Sequence, residues 1–148
     1  MFQKILPPTI DNNFRGNKIA LYFFYLFTVM TVVRSCIHIF KYDGGAQSIA
    51  TYPLDTFTEN GAAVVILIFA QWGLSQLLMS FLYVIVALRY KSLIPLMYVF
   101  LILEYAGRFA ISFIKTAETI GTPPGRIGNY IYVPLCLGLL LLSIYRKN

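Results

Sequence analysis

Glu104 and Arg108 stand four residues apart in an otherwise apolar stretch of this chain. On a helix, positions i and i+4 share a face, and an acid placed N-terminal to a base is the favourable order. An ionised side chain in hydrocarbon costs a few kcal/mol, so it must face protein, water or an opposite charge. The helix carrying this pair must therefore turn that face inward. Arg34 and Gln71 interrupt two other apolar runs, and His38 lies one turn beyond Arg34. At about 1.5 Å per residue, Glu104 lies roughly 18 Å and Arg108 roughly 24 Å into a hydrocarbon core about 30 Å thick. Arg34 reaches the depth of Arg108, and Gln71 comes near the midplane. Arg34, Gln71, Glu104 and Arg108 are thus the candidate ligand-binding residues, a cluster of net positive charge drawn from three helices. Their chemistry is anion recognition: guanidinium groups hold carboxylate or phosphate through paired hydrogen bonds, with Glu104 orienting them. Asp43, Asp55 and Glu59, in the loop beyond, are placed to cap the cluster.

Little else in the sequence carries chemistry. There is no Ser-His-Asp set, HExxH, paired catalytic carboxylates or GxGxxG, so no catalytic residue is assigned. Cys36 and Cys136 read as ordinary thiols, since no CxxC or Cys/His cluster accompanies them. No metal or other cofactor is expected. Met30, Met79 and Met97 each stand alone in apolar runs and read as packing residues. Trp72, Gln76 and Ser80 form one helical stripe, whose polar members suit bonds to a neighbouring helix. Gly107 is a candidate for close helix approach.

The elements that must position these residues follow from composition. The chain has 148 residues, 58% hydrophobic and 12% charged, whereas soluble domains are about a quarter charged. A chain this small cannot hide so much apolar surface from water, so its solvent is lipid. The expectation is an all-α polytopic membrane protein, one domain over residues 1–148, forming a four-transmembrane-helix bundle. The spans are expected at residues 18–40, 57–89, 93–118 and 123–145. Asp43-Gly44-Gly45 ends the first. Thr56-Phe57-Thr58-Glu59 fits a capping box that opens the second. The second span exceeds a perpendicular crossing and predicts tilt or protrusion. Arg89-Tyr90-Lys91-Ser92 is a tight connector, with Ser92 as N-cap and Pro95 in the first turn. The second and third spans are therefore expected as antiparallel neighbours. Gly121 to Gly125 ends the third, and Pro134 predicts a kink in the fourth.

Orientation follows from the basic residues, which number 12 against 6 acidic ones for a net charge of +6. Lys4, Arg15, Lys18, Arg89, Lys91, Arg146 and Lys147 fall on one side. Arg34, Lys41, Lys115 and Arg126 lie at or near the other, with Arg108 inside a span. The richer side is expected in the cytoplasm, so both termini are inside. The apolar run begins only after Lys18, which does not fit a signal peptide, so the first span is expected to persist. Nucleic-acid binding is excluded, because the basic residues sit mainly in the short connectors that set topology.

Pro53-Leu54-Asp55-Thr56-Phe57, Arg89-Tyr90-Lys91-Ser92-Leu93-Ile94-Pro95, Leu103-Glu104-Tyr105-Ala106-Gly107-Arg108 and Gly121-Thr122-Pro123-Pro124-Gly125 together resemble a group of small bacterial four-helix integral membrane proteins of uncharacterised activity. The resemblance spans nearly the whole chain and implies a bacterial inner membrane, but brings no activity and no site residue. The outline is also similar to DoxX-like proteins, in architecture alone. Two readings of the cluster remain: a buried polar clamp that fixes helix order, and a pocket for an anionic headgroup or small acid. Proton relay and docking of another membrane subunit are further roles for these groups. The expected function is a non-enzymatic integral membrane protein, an accessory subunit or a module binding lipid or a small acid. The alternatives are a small transporter or channel acting as an oligomer, and a membrane enzyme acting on a lipid or quinone. Expected partners are membrane lipids, together with a homo-oligomer or another membrane subunit.

Overall fold

Asn17 starts the first long helix by accepting a hydrogen bond from the Ile19 amide on its side-chain oxygen, 2.9 Å away. In the computed structural model, which describes residues 2–145, a short helix α1 (Phe2–Ile5) precedes four long ones. These are α2 (Lys18–Phe40), α3 (Glu59–Arg89), α4 (Ile94–Ile114) and α5 (Pro124–Ile144). The described residues contain no strand. All four long helices have the length and composition to cross a membrane, and the chain is a four-transmembrane-helix bundle. At 31 residues, α3 is about 46 Å long and outreaches a core of about 30 Å. The end bearing residues 89–93 is called the connector end below, and the opposite one the loop end. Arg146 and Lys147, counted above for orientation, lie outside the described residues.

Three helix boundaries differ from expectation, one through local hydrogen bonds and two through tertiary ones. Thr58, not Thr56, caps α3, its hydroxyl accepting from the Gly61 amide at 3.2 Å. Thr56 closes a 3₁₀ turn over Leu54–Thr56 and donates its hydroxyl to the Pro53 carbonyl. Ser92 does not cap α4. It lies in a 3₁₀ turn, and its hydroxyl accepts from the Asp11 amide and donates to the Asp11 carbonyl, at 3.0 and 2.9 Å. α4 stops at Ile114 instead of reaching residue 118, because the segment beyond it turns to the other loop. There the Ile120 amide donates to the Thr51 carbonyl, and the Thr51 hydroxyl to the Gly121 carbonyl. Pro134 lies within α5, which continues through it.

Lipid supplies no hydrophobic force between helices, so close packing and hydrogen bonds must hold them. α2 packs along α3, α4 packs along α5, and α2 also meets α5. The order around the bundle is α3, α2, α5, α4. α3 and α4 are neighbours at the connector and touch sparsely elsewhere, so the expected antiparallel pair is joined at one end only. The interior lies toward the connector end. Phe24 of α2 makes edge contacts with Tyr83 of α3 and Tyr98 of α4, at 5.8 and 6.0 Å between ring centres. The Tyr98 hydroxyl donates to the Ala20 carbonyl at 2.6 Å. Toward the loop end, Gly73 lets α2 and α3 approach closely. A Cβ there would stand 2.7 Å from the Cβ of His38 and 3.1 Å from the Ser35 carbonyl oxygen. Gly107, the residue expected to serve close approach, has nothing within 4 Å of its Cβ position.

The ends are tied by the two non-helical segments. At the connector end, residues 6–17 cross the base. Asp11 meets Ser92, the Asn17 amide donates to the Leu142 carbonyl, and Lys4 donates to the Ile144 carbonyl. At the loop end, the Asp43 carboxylate accepts from the amides of Gly45 and Ser48, at 3.0 and 2.7 Å. Gly44 and Gly45 hold positive φ angles of 58° and 74° there, which suits residues without a Cβ.

Candidate ligand-binding site

Each polar residue of the cluster is carried on a different part of the helix frame. Arg34 lies six residues before the end of α2 and Arg108 six before the end of α4, so both Cα atoms are about 9 Å from the loop end of their helices. Glu104 is one turn deeper. Arg108 pairs with Oε1 of Glu104 across the turn, as its spacing predicts. Arg34 approaches the same oxygen at 3.7 Å. Its Nε also donates to Oε1 of Gln76 on α3, at 3.1 Å. The Arg108 guanidinium lies 4.7 Å from the ring centre of Trp72 and 5.6 Å from that of Tyr105, a contact that favours a cation. The side chains of Arg34, Glu104 and Arg108 keep 30%, 27% and 22% of their surface accessible. Three charges at membrane depth are therefore not fully enclosed by the protein.

Arg34, Glu104 and Arg108 are thus together, as their depths predict. Gln71 is not among them: it is exposed on α3, and Gln76 takes its place. Depth along the axis brings Gln71 to the right level, but five residues of helix rotate the side chain by about 140°. The Trp72–Gln76–Ser80 stripe already contains the correct residue, since it marks the face of α3 that meets the other helices. The acidic cap also fails to form. Asp43 is buried in its own turn, Asp55 accepts from Gln47, and Glu59 opens α3 on the surface. Among the described residues, the ion pairs of both cluster arginines are with Glu104 alone.

Above the cluster, the loop end is closed by a polar and aromatic lid. His38 donates from Nδ1 to the Gly44 carbonyl at 2.7 Å. Its ring lies 4.7 Å from that of Trp72 and 5.7 Å from that of Phe69, and Tyr52 of the loop meets Phe69 edge-on. Trp72 thus touches both the histidine above and the arginine below. Burial pushes the Asp43 carboxyl up, but bonds from Ser48 and Gly45 and the nearby Lys41 charge outweigh it and hold it below the ordinary aspartate value.

Beside the cluster, the sparse contact between α3 and α4 leaves a cleft of about 390 Å³. Thr31 of α2 contributes to its lining. Gln76, Met79 and Tyr83 line it from α3, and Phe100, Leu103 and Glu104 from α4. Gln76 and Tyr83 are only 5% and 1% exposed. Among the described residues, Nε2 of Gln76 and the hydroxyl of Tyr83 have no hydrogen-bond partner. Buried polar groups in native proteins are nearly always paired, so two such groups on one wall ask for an explanation. Tyr83 carried no signal in the sequence beyond being a tyrosine in an apolar run. The chain matches no protein-family model, no curated protein and no solved structure.

Proposed function

We propose that this chain is an integral protein of a bacterial inner membrane, with both ends in the cytoplasm, that binds a carboxylate or phosphate group at Arg34 and Arg108. The ligand is the head of a lipid or a small acid, and the protein acts as a binding module or accessory subunit, not as an enzyme. The observation that carries this reading is the charge count of the cluster. Two guanidinium groups share one carboxylate oxygen, which leaves one positive charge uncompensated at membrane depth, where it costs a few kcal/mol without a partner. A purely structural clamp accounts for the Glu104–Arg108 pair and for the Arg34–Gln76 bond. It leaves the second positive charge without a purpose, since one arginine suffices to neutralise Glu104. The orientation is supported by five basic residues at the connector end, Lys4, Arg15, Lys18, Arg89 and Lys91, against three at the loop end, Lys41, Lys115 and Arg126.

The test compares Arg108→Gln with Glu104→Gln after purification in mild detergent, reading folded yield and co-purifying anionic lipid by mass analysis. Arg108→Gln is expected to fold and to lose bound anionic lipid by roughly tenfold, the effect of one charge-assisted hydrogen bond. Glu104→Gln raises the net charge and is expected to retain the lipid. Equal collapse of folding in both variants would establish the clamp instead.

A further inference from the structure

The unsatisfied groups of the cleft have a common polarity. An arginine can only donate, so its bond to Gln76 fixes the amide with Oε1 toward Arg34. Nε2 is then turned away as a donor, and it is this atom that lacks a partner among the described residues. Tyr83 lies seven residues further along α3, on the same face. Helical side chains lean toward the N-terminus, which for α3 is the loop end, so its hydroxyl is carried toward the cluster. Gln76 and Tyr83 thus hold unpaired N–H and O–H donors within the cleft wall at two depths, and Glu104, the charged residue of the lining, is paired with Arg34 and Arg108. A ligand that satisfies them carries acceptors at two depths as well: an anionic group, and ester or carboxyl oxygens just below it.

The path to these donors is equally restricted. From the loop end the way is closed by the His38–Gly44 turn and by Trp72, which rests on Arg108. The opening lies sideways, between α3 and α4, and beside the polar groups its walls are Met79, Phe100 and Leu103. Apolar walls facing hydrocarbon suit an acyl chain and give a soluble acid nothing to bind. The volume of about 390 Å³ falls within the usual size of ligand sites, about 300–1,000 Å³.

We infer that the α3–α4 cleft is a lateral site for a membrane lipid with an anionic, acceptor-bearing head, to which Gln76 and Tyr83 donate hydrogen bonds while its chain lies against Met79, Phe100 and Leu103. This rests on the anion-binding reading above and adds the source, orientation and specificity residues of the ligand.

Trp72, the single tryptophan of the chain, also lines the cleft and reports on its occupant. The protein is reconstituted in phosphatidylcholine vesicles holding increasing fractions of phosphatidylglycerol brominated along its chains, and quenching of Trp72 is followed. Brominated phosphatidylcholine is the reference lipid, and inorganic phosphate and acetate are the soluble competitors. Wild type is expected to prefer the anionic lipid by roughly fivefold or more, with no displacement by phosphate or acetate. Two variants address the cleft. Ser75→Leu adds bulk to its wall at an exposed residue whose hydroxyl bonds only within α3. Tyr83→Phe removes a hydroxyl without a partner, so a merely structural tyrosine would leave stability equal or higher and binding unchanged. Each is expected to remove most of the preference, by about fivefold for the loss of one neutral hydrogen bond at Tyr83. If both variants bind as wild type while Arg108→Gln loses the lipid, the arginines hold an anion but the cleft is not its site. Displacement by phosphate or acetate would overturn the lipid as ligand and leave a soluble acid. If wild type and Arg108→Gln alike show no preference, the inference and the anion-binding reading fall together.

Discussion

A carboxylate can be satisfied locally or shared, and this chain does both. Asp43 is the satisfied case: amides of Gly45 and Ser48 fill its oxygens, and the surrounding turn closes on it. Glu104 is the shared case, one oxygen drawing two guanidinium groups from different helices. The difference predicts a pH response at Asp43. Its folded pKa lies below the ordinary value of about 3.9. Its contribution to holding the loop is therefore complete above pH of about 4 and is lost as pH falls through the folded value. Amide exchange at Gly45 and Ser48 should speed roughly tenfold in Asp43→Asn at pH 7, the loss of about one charge-assisted bond. The difference from wild type should vanish under acid conditions. An exchange ratio constant down to low pH would show that the carboxylate does not hold the turn. The charges of the site were legible in the sequence because an ionised residue in an apolar run has few places to go. Its amide was harder to find. Axial depth selected Gln71, whereas Gln76 is the one rotated toward Arg34, and angle is visible only from the stripe of Trp72, Gln76 and Ser80.

Helices of this bundle are set by where they touch, and Gly73 marks a close approach of α2 and α3. A methyl group at Gly73 would meet the Cβ of His38 and the Ser35 carbonyl, neither the free end of a flexible chain. Gly73→Ala should separate α2 from α3 and cost about 1–3 kcal/mol, as overpacking does. Gly107→Ala meets nothing within 4 Å and should be neutral, or stabilising by up to about 1 kcal/mol from helix propensity. Thermal unfolding of both variants in detergent checks the pair, and equal melting temperatures would refute the close approach. The existence of the four long helices followed from apolar run length alone. Their ends did not, because Thr56 and Ser92 have the chemistry of caps and use it elsewhere. Ser92 bonds a residue 81 positions away, a partner that no local pattern contains.

For the molecule as a whole, the short connector misled about shape. It requires α3 and α4 to start together, and they do, but nothing in four residues obliges them to stay together. The order α3, α2, α5, α4 leaves their far ends parted, and the cleft is the result. Its sidedness is open to direct measurement. In a background without Cys36 and Cys136, a cysteine replacing Lys91 should react with an impermeant thiol reagent only after the cells are permeabilised. One replacing Gln47 in the 41–58 loop should react in intact cells. The opposite pattern would invert the orientation and move the cluster to the cytoplasmic half of the bilayer.

The strap beneath the bundle has a consequence for biogenesis. Asn17 bonds Leu142, and Lys4 reaches Ile144, so two joints of this base wait for α5, whereas Asp11 finds Ser92 before α4 begins. A ribosome exposes Lys4 and Asn17 long before it has made their partners. The joints to Leu142 and Ile144 therefore close only once α5 has been made, and until then Asp11 and Ser92 alone tie the strap to the helices.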